Sequence, residues 1–509
     1  MTEPRSDHSP TRPAGRHVVI AGGGTAGWMA AAAFARFLPP DWRITLVESE
    51  AIGTVGVGEA TIPPIRNFND GLGIAEDEFV AATGGSFKLG IEFVGWNGAD
   101  SRYIHAFGSI GRPLGLVSFL PYWLRHRAEG GADGLWDFIP AAHAARENRF
   151  GRPDPVRGLA WAYHFDAALY AAFLRRYAEA RGVERIEGRI EGLERTTDGD
   201  IAALRLNGDR SVAGDLFIDC TGFRALLIEG ELNAGFDDWT RWLPCDRALA
   251  MPSAPTMPLT PYTRATAREA GWQWRIPLQH RIGNGYVYSS AHVSDDVAAK
   301  TLLANLDGAA LDTPRPLRFT TGRRRQAWVG NCVALGLSAG FLEPLESTSI
   351  HLIQVGIAEL LKALPPAGPA TAASRAAYNR QMRFEYESIR DFVILHYHAN
   401  ARDGDLWRAC RDTPPPDSLA EKIALFRESG RVVRFHEELF TEAGWAQVML
   451  GQGIAPQGYH PLADALAPSQ LAEFMQLARI DAQRQAAALP DHAAFIAAHC
   501  AARPQDYAA

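Results

Sequence analysis

Gly22-Gly23-Gly24-Thr25-Ala26-Gly27, set between His17-Val-Val-Ile-Ala21 and the alanine-rich run Trp28 to Leu38, decides the fold of this chain. The run before it is apolar and β-branched and predicts a short buried strand. The run after it predicts a helix, so the glycines form the tight turn between the two. Gly22 permits that turn, Gly24 lets the backbone approach a pyrophosphate, and Gly27 lets strand and helix pack closely. Thr25 and Ala26 open the helix, whose N-terminus favours phosphate. A Gly-x-Gly-x-x-Gly alone is weak evidence, but its context is here. A second strand, Arg43 to Val47, ends in Glu48, about 20 residues beyond the fingerprint, where a carboxylate can hold ribose hydroxyls. An acid at that position favours FAD or NAD over NADP.

Working outward, Asp215-Leu-Phe-Ile-Asp-Cys-Thr-Gly222 and Trp328-Val-Gly-Asn-Cys-Val-Ala-Leu-Gly336 are two further buried-type strands ending in glycine. Ile186 to Leu193 and Ile201 to Leu206 flank turn residues and read as hairpin pieces. Distant segments that converge on one nucleotide point to FAD and to a glutathione-reductase-like, Rossmann-type α/β fold. The expected organisation is a disordered leader over 1–16, an FAD-binding domain with insertions over 17–360, and a mainly helical substrate-covering region over 361–509.

Trp272-Gln-Trp274-Arg-Ile276-Pro277 is the second informative stretch. On a strand, residues i and i+2 face the same side, so the two indoles are expected to form one flat aromatic wall. Core packing is the ordinary reading of such a pair.

The chain has 509 residues, 47% of them hydrophobic, and a formal charge of −7, which argues against a nucleic-acid surface. Arg323-Arg324-Arg325 reads as a surface or phosphate-directed cluster. The five cysteines lack Cys-x-x-Cys spacing, which fits a reducing compartment without structural zinc. No apolar run reaches the length of a membrane span, and the first 15 residues lack the apolar core of a signal peptide. A cytoplasmic location is expected. His396-Tyr397-His398 invites a metal reading, but i and i+2 do not share a helix face, so these are expected to be satisfied structural residues and no metal is assigned.

Taken together, the sequence resembles the flavin-dependent halogenases of the tryptophan-halogenase family. The matching residues are Gly22–Gly27, Gly56-Val-Gly-Glu-Ala-Thr-Ile-Pro63, Phe87-Lys88-Leu-Gly90, Trp272-x-Trp274-x-Ile276-Pro277 and Glu343-Pro-Leu-Glu346-Ser-Thr-Ser349. The resemblance implies reduced FAD delivered by a separate flavin reductase, a flavin hydroperoxide attacked by halide, and hypohalous acid passing through a tunnel to an electron-rich aromatic. It assigns Lys88 to the oxidant, although on its local sequence alone Lys88 is a strand residue facing solvent. It assigns Glu346 to orienting the oxidant and accepting the ring proton, where capping of the following helix is the local reading. Ser347 links flavin segment and lysine, Thr348 and Ser349 hold halide through backbone N–H groups, Leu337 and Ile350 contact the flavin, and Ile190 lies near the adenine. Trp272, Trp274, Ile276 and Pro277 become a wall that keeps substrate from the flavin.

Relatives acting on free tryptophan hold its amino-acid portion with an adjacent Tyr-Tyr pair near the C-terminus. This chain has only Tyr459 and Tyr507 after residue 400, and reads Gly444-Trp-Ala-Gln-Val-Met449 at the comparable place. A plain indole, another aromatic or a larger indole-bearing molecule is expected, brominated or chlorinated, and a homodimer is among the expected assemblies. The competing expectation is an FAD-dependent aromatic monooxygenase.

Overall fold

The structure, a computed structural model, describes residues 15–51, 58–152, 158–365 and 368–503. Residues 1–14 of the expected leader, Gly56 and Val57 of the second motif, and Tyr507 lie outside these residues.

Strand β1 (His17–Ala21) is the centre of a six-stranded sheet. It pairs in parallel with β2 (Arg43–Glu48) on one side and with Leu216–Asp219 on the other. Glu184–Glu187 extends the β2 edge in parallel, and Cys332–Ala334 extends the other. The expected convergence of distant segments is thus realised in one α/β sheet. The expected strand from Trp328 is in fact two short strands, Trp328–Val329 and Cys332–Ala334, that fold back antiparallel on each other.

Helix α1 (Thr25–Phe37) buries every residue from Gly27 to Phe34. Its alanines carry no side-chain bulk, so the helix lies close on the sheet. Gly22 and Gly27 make that approach possible. Gly22 has φ +106°, and a Cβ on Gly27 would stand 1.9 Å from the Gly22 carbonyl oxygen.

A seven-stranded sheet carries the tryptophan segment, Gly271–Pro277, near its middle. That strand is paired antiparallel on both sides, to Thr263–Arg268 and to Ile282–Tyr288, and all seven of its residues are buried. Beyond Thr263–Arg268 the sheet continues through β5 (Gly90–Val94) to β6 (Arg102–Ala106). A three-stranded sheet joins β3 (Gly58–Ala60) and β4 (Ser86–Lys88) through Ala162–Asp166.

After residue 364 the described chain is helical. Helix Glu442–Gly451 docks on β6, where the Gln447 side chain bonds both the N–H and the C=O of Ala106 at 3.0 and 3.1 Å. Helix His492–His499 docks on β4, where His492 Nε2 accepts from the Phe87 N–H at 3.1 Å.

The arginine cluster differs from expectation. Arg323 is buried on strand Gly322–Arg324 and pairs with Asp237 at 2.7 Å and Glu387 at 3.3 Å. Arg324 pairs with Glu229 at 2.8 Å, and Arg325 alone of the three is well exposed. Acidic partners on neighbouring elements, invisible in the local sequence, draw the first two inward.

Candidate active site

A long pocket runs over the carboxyl ends of the parallel strands. Gly22, Gly24, Thr25, Ala26, Glu48 and Ile190 line one part; Leu337, Ser347, Ser349, Ile350, Trp274 and Ile276 line another. Gly27 does not line it and serves packing. A Cβ on Gly24 would meet nothing within 4 Å, so its backbone faces open space where a phosphate can approach. A Cβ on Gly23 would fall 1.5 Å from Glu48 Oε2, so the missing side chain is what lets the Glu48 carboxylate lie across the turn. Glu48 Oε1 accepts from Arg185 Nε at 2.5 Å, which fixes the carboxylate at the pocket wall. These features fit FAD: Glu48 can accept from ribose hydroxyls, and Gly24 with the start of α1 can hold a pyrophosphate.

Lys88 does not face solvent. Strand β4 is covered by the helical C-terminal region, and Lys88 is 0% exposed. Its Nζ donates to Ser347 Oγ at 2.7 Å and to the Thr61 carbonyl at 2.9 Å, and lies 5.3 Å from the centre of the Phe107 ring. Burial pushes the ammonium down to about 7, against the upward pull of Glu346.

Glu346 is equally buried, and it does not cap the following helix. Its Oε2 lies 2.9 Å from His105 Nδ1 and its Oε1 2.8 Å from His396 Nε2. A carboxylate only accepts, so both of those ring nitrogens carry hydrogen. His396 Nδ1 is then left to accept from the Tyr103 hydroxyl at 3.1 Å. Burial alone would raise the Glu346 carboxyl, but His105 and then His396 outweigh it and hold it at about 2. Nothing in the sequence around His105 marks it as a partner of Glu346, 241 residues away. His396 is hydrogen-bonded on both ring nitrogens, to Glu346 and Tyr103. Among the described residues no group of three or more His, Cys, Asp or Glu side chains is placed to hold a metal.

Ser347 adopts φ +60°, the left-handed region, and turns the chain from Pro344–Glu346 into helix Ser349–Ala363. Thr348 is the residue before that helix; it is buried and its Oγ1 has no partner. The first-turn N–H groups of a helix have no acceptor within it, so Thr348 and Ser349 stand at a ready anion site beside the pocket.

Trp272 and Trp274 share one side of their strand, as the period of two requires, but they are not coplanar. Their rings are 6.1 Å apart and tilted by 55°. Trp274 lines the long pocket; Trp272 does not, and its Nε1 donates to Glu343 Oε2 at 2.5 Å. The tilt has a sequence cause in the neighbouring strand. A Cβ on Gly285 would fall 2.0 Å from the Trp274 ring, which therefore lies directly over that glycine.

A second cavity has a volume of about 780 Å³. Ser109, Ile110, Arg112, Phe119, Phe138, Thr441, Ala446 and Asp481 are among its lining residues. Neither Lys88 nor Glu346 lines it; Phe107, beneath which Lys88 lies, is two residues along the chain from Ser109. Of the stretch Gly444 to Met449, only Ala446 lines the cavity, while Trp445 and Gln447 are buried.

The tryptophan halogenase family model matches residues 17–468. The tryptophan 6-halogenase SttH of Streptomyces toxytricini is 36% identical over 489 residues, spanning 88% of this chain and 92% of that protein. Among solved structures, the flavin-dependent halogenase Xcc4156 from Xanthomonas campestris superposes with a TM-score of 0.94 at 51% identity, covering 96% of this chain and 99% of its own. The flavin-dependent halogenase BrvH from Brevundimonas sp. BAL3 gives 0.90 at 45% identity, covering 95% and 99%.

Proposed function

The chain belongs to the tryptophan halogenase family of flavin-dependent enzymes, and from that premise we propose that it halogenates an indole-bearing aromatic at a site set apart from its flavin. The observation that carries this reading is the position of Lys88. Its Nζ bonds Ser347, which borders the flavin pocket, and it lies beneath Phe107, two residues along the chain from Ser109 of the second cavity's lining. On this reading an oxidant made beside the flavin meets the lysine before it meets the aromatic.

FAD, held there as FADH2 from a separate reductase, would supply the activated dioxygen needed to turn halide into hypohalous acid. The chain's own residues do the rest. Gly24 and the α1 N-terminus hold the pyrophosphate, and Glu48 the adenosine ribose. The N–H groups of Thr348 and Ser349 hold the halide. Lys88 donates an N–H to the hypohalous acid and polarises its oxygen–halogen bond; a group whose pKa lies near 7 suits proton donation at neutral pH. Glu346, held near a pKa of 2, is a weak base and a persistent negative charge. It stabilises the cationic ring intermediate and takes its proton, which so acidic a cation gives up even to a weak base. Trp274, backed by Trp272, Ile276 and Pro277, keeps the aromatic from the flavin.

The cavity of about 780 Å³ falls in the range that encloses a drug-sized ligand, more than one indole needs. Gln447 is spent on the β6 backbone and Tyr459 donates to Asp464, so neither supplies the amino-acid clamp of free tryptophan. The substrate we propose is an indole carried on a larger body. The test supplies FAD, a flavin reductase, NADH, oxygen and bromide or chloride with a panel of indoles. Products bearing the halogen isotope pattern in mass spectrometry support the reading. Hydroxylated products without halogen, or halogenation unaffected by Lys88→Ala, overturn it.

A further inference from the structure

Three residues before Glu346 stands a second fully buried glutamate to which nothing above gives a role. Glu343 is 0% exposed. Its Oε2 accepts two hydrogen bonds, from Trp272 Nε1 at 2.5 Å and from the Tyr397 hydroxyl at 2.7 Å, while Oε1 has no partner. Around it the rings interlock. Tyr397 stacks on Trp407 with 5.6 Å between centres, and Trp96 meets Trp272, Tyr397 and Trp407 at 6.3, 5.5 and 5.3 Å.

A carboxyl in such surroundings is expensive, and an apolar side chain of similar volume serves stability as well or better. What the carboxyl offers is direction: one oxygen fixes the in-plane orientation of an indole that packing alone lets slide. We propose that Glu343 is a positioning residue, which orients the Trp272 indole and through it the tilt of Trp274 at the flavin pocket, keeping the partition between flavin and Lys88 rigid. This rests on the halogenase reading and on the role given there to the tryptophans.

The other titratable groups around Glu343 are silent near neutrality. Tyr397 on the long helix and Cys245, 3.5 Å from the Tyr397 hydroxyl, are pushed well up by burial, and Cys410 is pushed up to about 12. Glu346 is a carboxylate throughout. Glu343 itself is raised by burial to about 7, its two hydrogen bonds pulling the other way, so it is the member of this cluster that titrates near pH 7.

Two readouts on the full-length protein test the proposal. With the tryptophans labelled with nitrogen-15, the Trp272 indole N–H, assigned by its loss in W272F, is expected far downfield and to move with pH around 7. In E343Q, which still accepts but cannot ionise, that movement is absent; in E343A the signal shifts upfield. In the bromide assay, halogenated product per peroxide released is expected to fall about 3-fold or more in E343A and to stay within about 2-fold in E343Q. An indole signal indifferent to both substitutions, or an unchanged product ratio in a folded E343A, overturns the proposal. Should E343A not fold, Y397F decides: with Trp272 the sole donor its signal moves further downfield, and no movement overturns the proposal. A wild type that halogenates nothing defeats the halogenase reading, while the indole signal still reports on Glu343.

Discussion

Lys88 Nζ and Ser347 Oγ stand 2.7 Å apart although 259 residues separate them in the chain. Ser347 is a left-handed residue bordering the flavin pocket, and Lys88 a strand residue sealed from solvent. Their bond joins the lysine directly to the rim of the flavin pocket.

Lys88→Met is expected to abolish halogenation, a loss of about 100-fold or more, since it removes the group that meets the oxidant. Flavin reoxidation and peroxide release continue, because no residue lining the flavin pocket changes. Parallel assays of halogenated product and peroxide check this, and an equal loss of both contradicts the assignment.

Proton donation by Lys88 sets the sign of the pH dependence. The ammonium form prevails below about 7, so the turnover of a saturated enzyme is expected to decline as pH rises through that value. Stability runs the other way. The folded pKa lies below the ordinary 10.5, so between those values the unfolded chain binds the extra proton and stability rises with pH. Denaturant melts at several pH values, with Lys88→Met losing the slope, measure it.

Glu346 gives an acid-side prediction. Its folded pKa of about 2 lies below the ordinary 4.5, so its contribution to stability is present above 4.5 and is lost as pH falls towards 2. Glu346→Gln is expected to flatten that part of the acid denaturation curve. It also leaves the His105 and His396 N–H groups facing a neutral amide, at a cost of about 1–3 kcal/mol at neutral pH.

Gly285→Ala places a Cβ 2.0 Å from the Trp274 ring as it now lies, on a strand fixed at both edges. Overpacking of this kind costs about 1–3 kcal/mol. The melting temperature is expected to fall, and FAD affinity with it, because the indole can yield only towards the pocket. Isothermal titration with FAD tests the second effect apart from the first.

Glu48→Ala is expected to weaken FAD binding by about 10-fold, the worth of a charge-assisted hydrogen bond to the ribose. It also frees Arg185, which now donates to Glu48 at 2.5 Å, from one of its acidic partners. A flavin fluorescence titration checks the affinity.

The central sheet could be read from sequence because its signals are local: an apolar run, three glycines and an acid at fixed spacing. The tryptophan strand was equally readable, down to the shared side of the two indoles. Their tilt was not, since it depends on Gly285 in another strand. Lys88 looked solvent-facing because nothing near it in the chain announces that helix His492–His499 closes over β4. The histidines on Glu346 lie 241 and 50 residues from it, and a carboxylate's partners at such separations leave no local mark.

The parallel sheet draws strands from residues 17, 43, 184, 216 and 332 onwards, and β4 is fastened by His492. During synthesis the flavin cradle therefore waits for the strand Cys332–Ala334, and the lysine strand for helix His492–His499, whose His492 lies 405 residues beyond Phe87. Pairings across such sequence distances form slowly. A chain grown only to residue 331 carries the glycine fingerprint, the lysine and the tryptophan strand, but neither the completed cradle nor the cover over Lys88, so competence for controlled oxidation arrives only once both have formed.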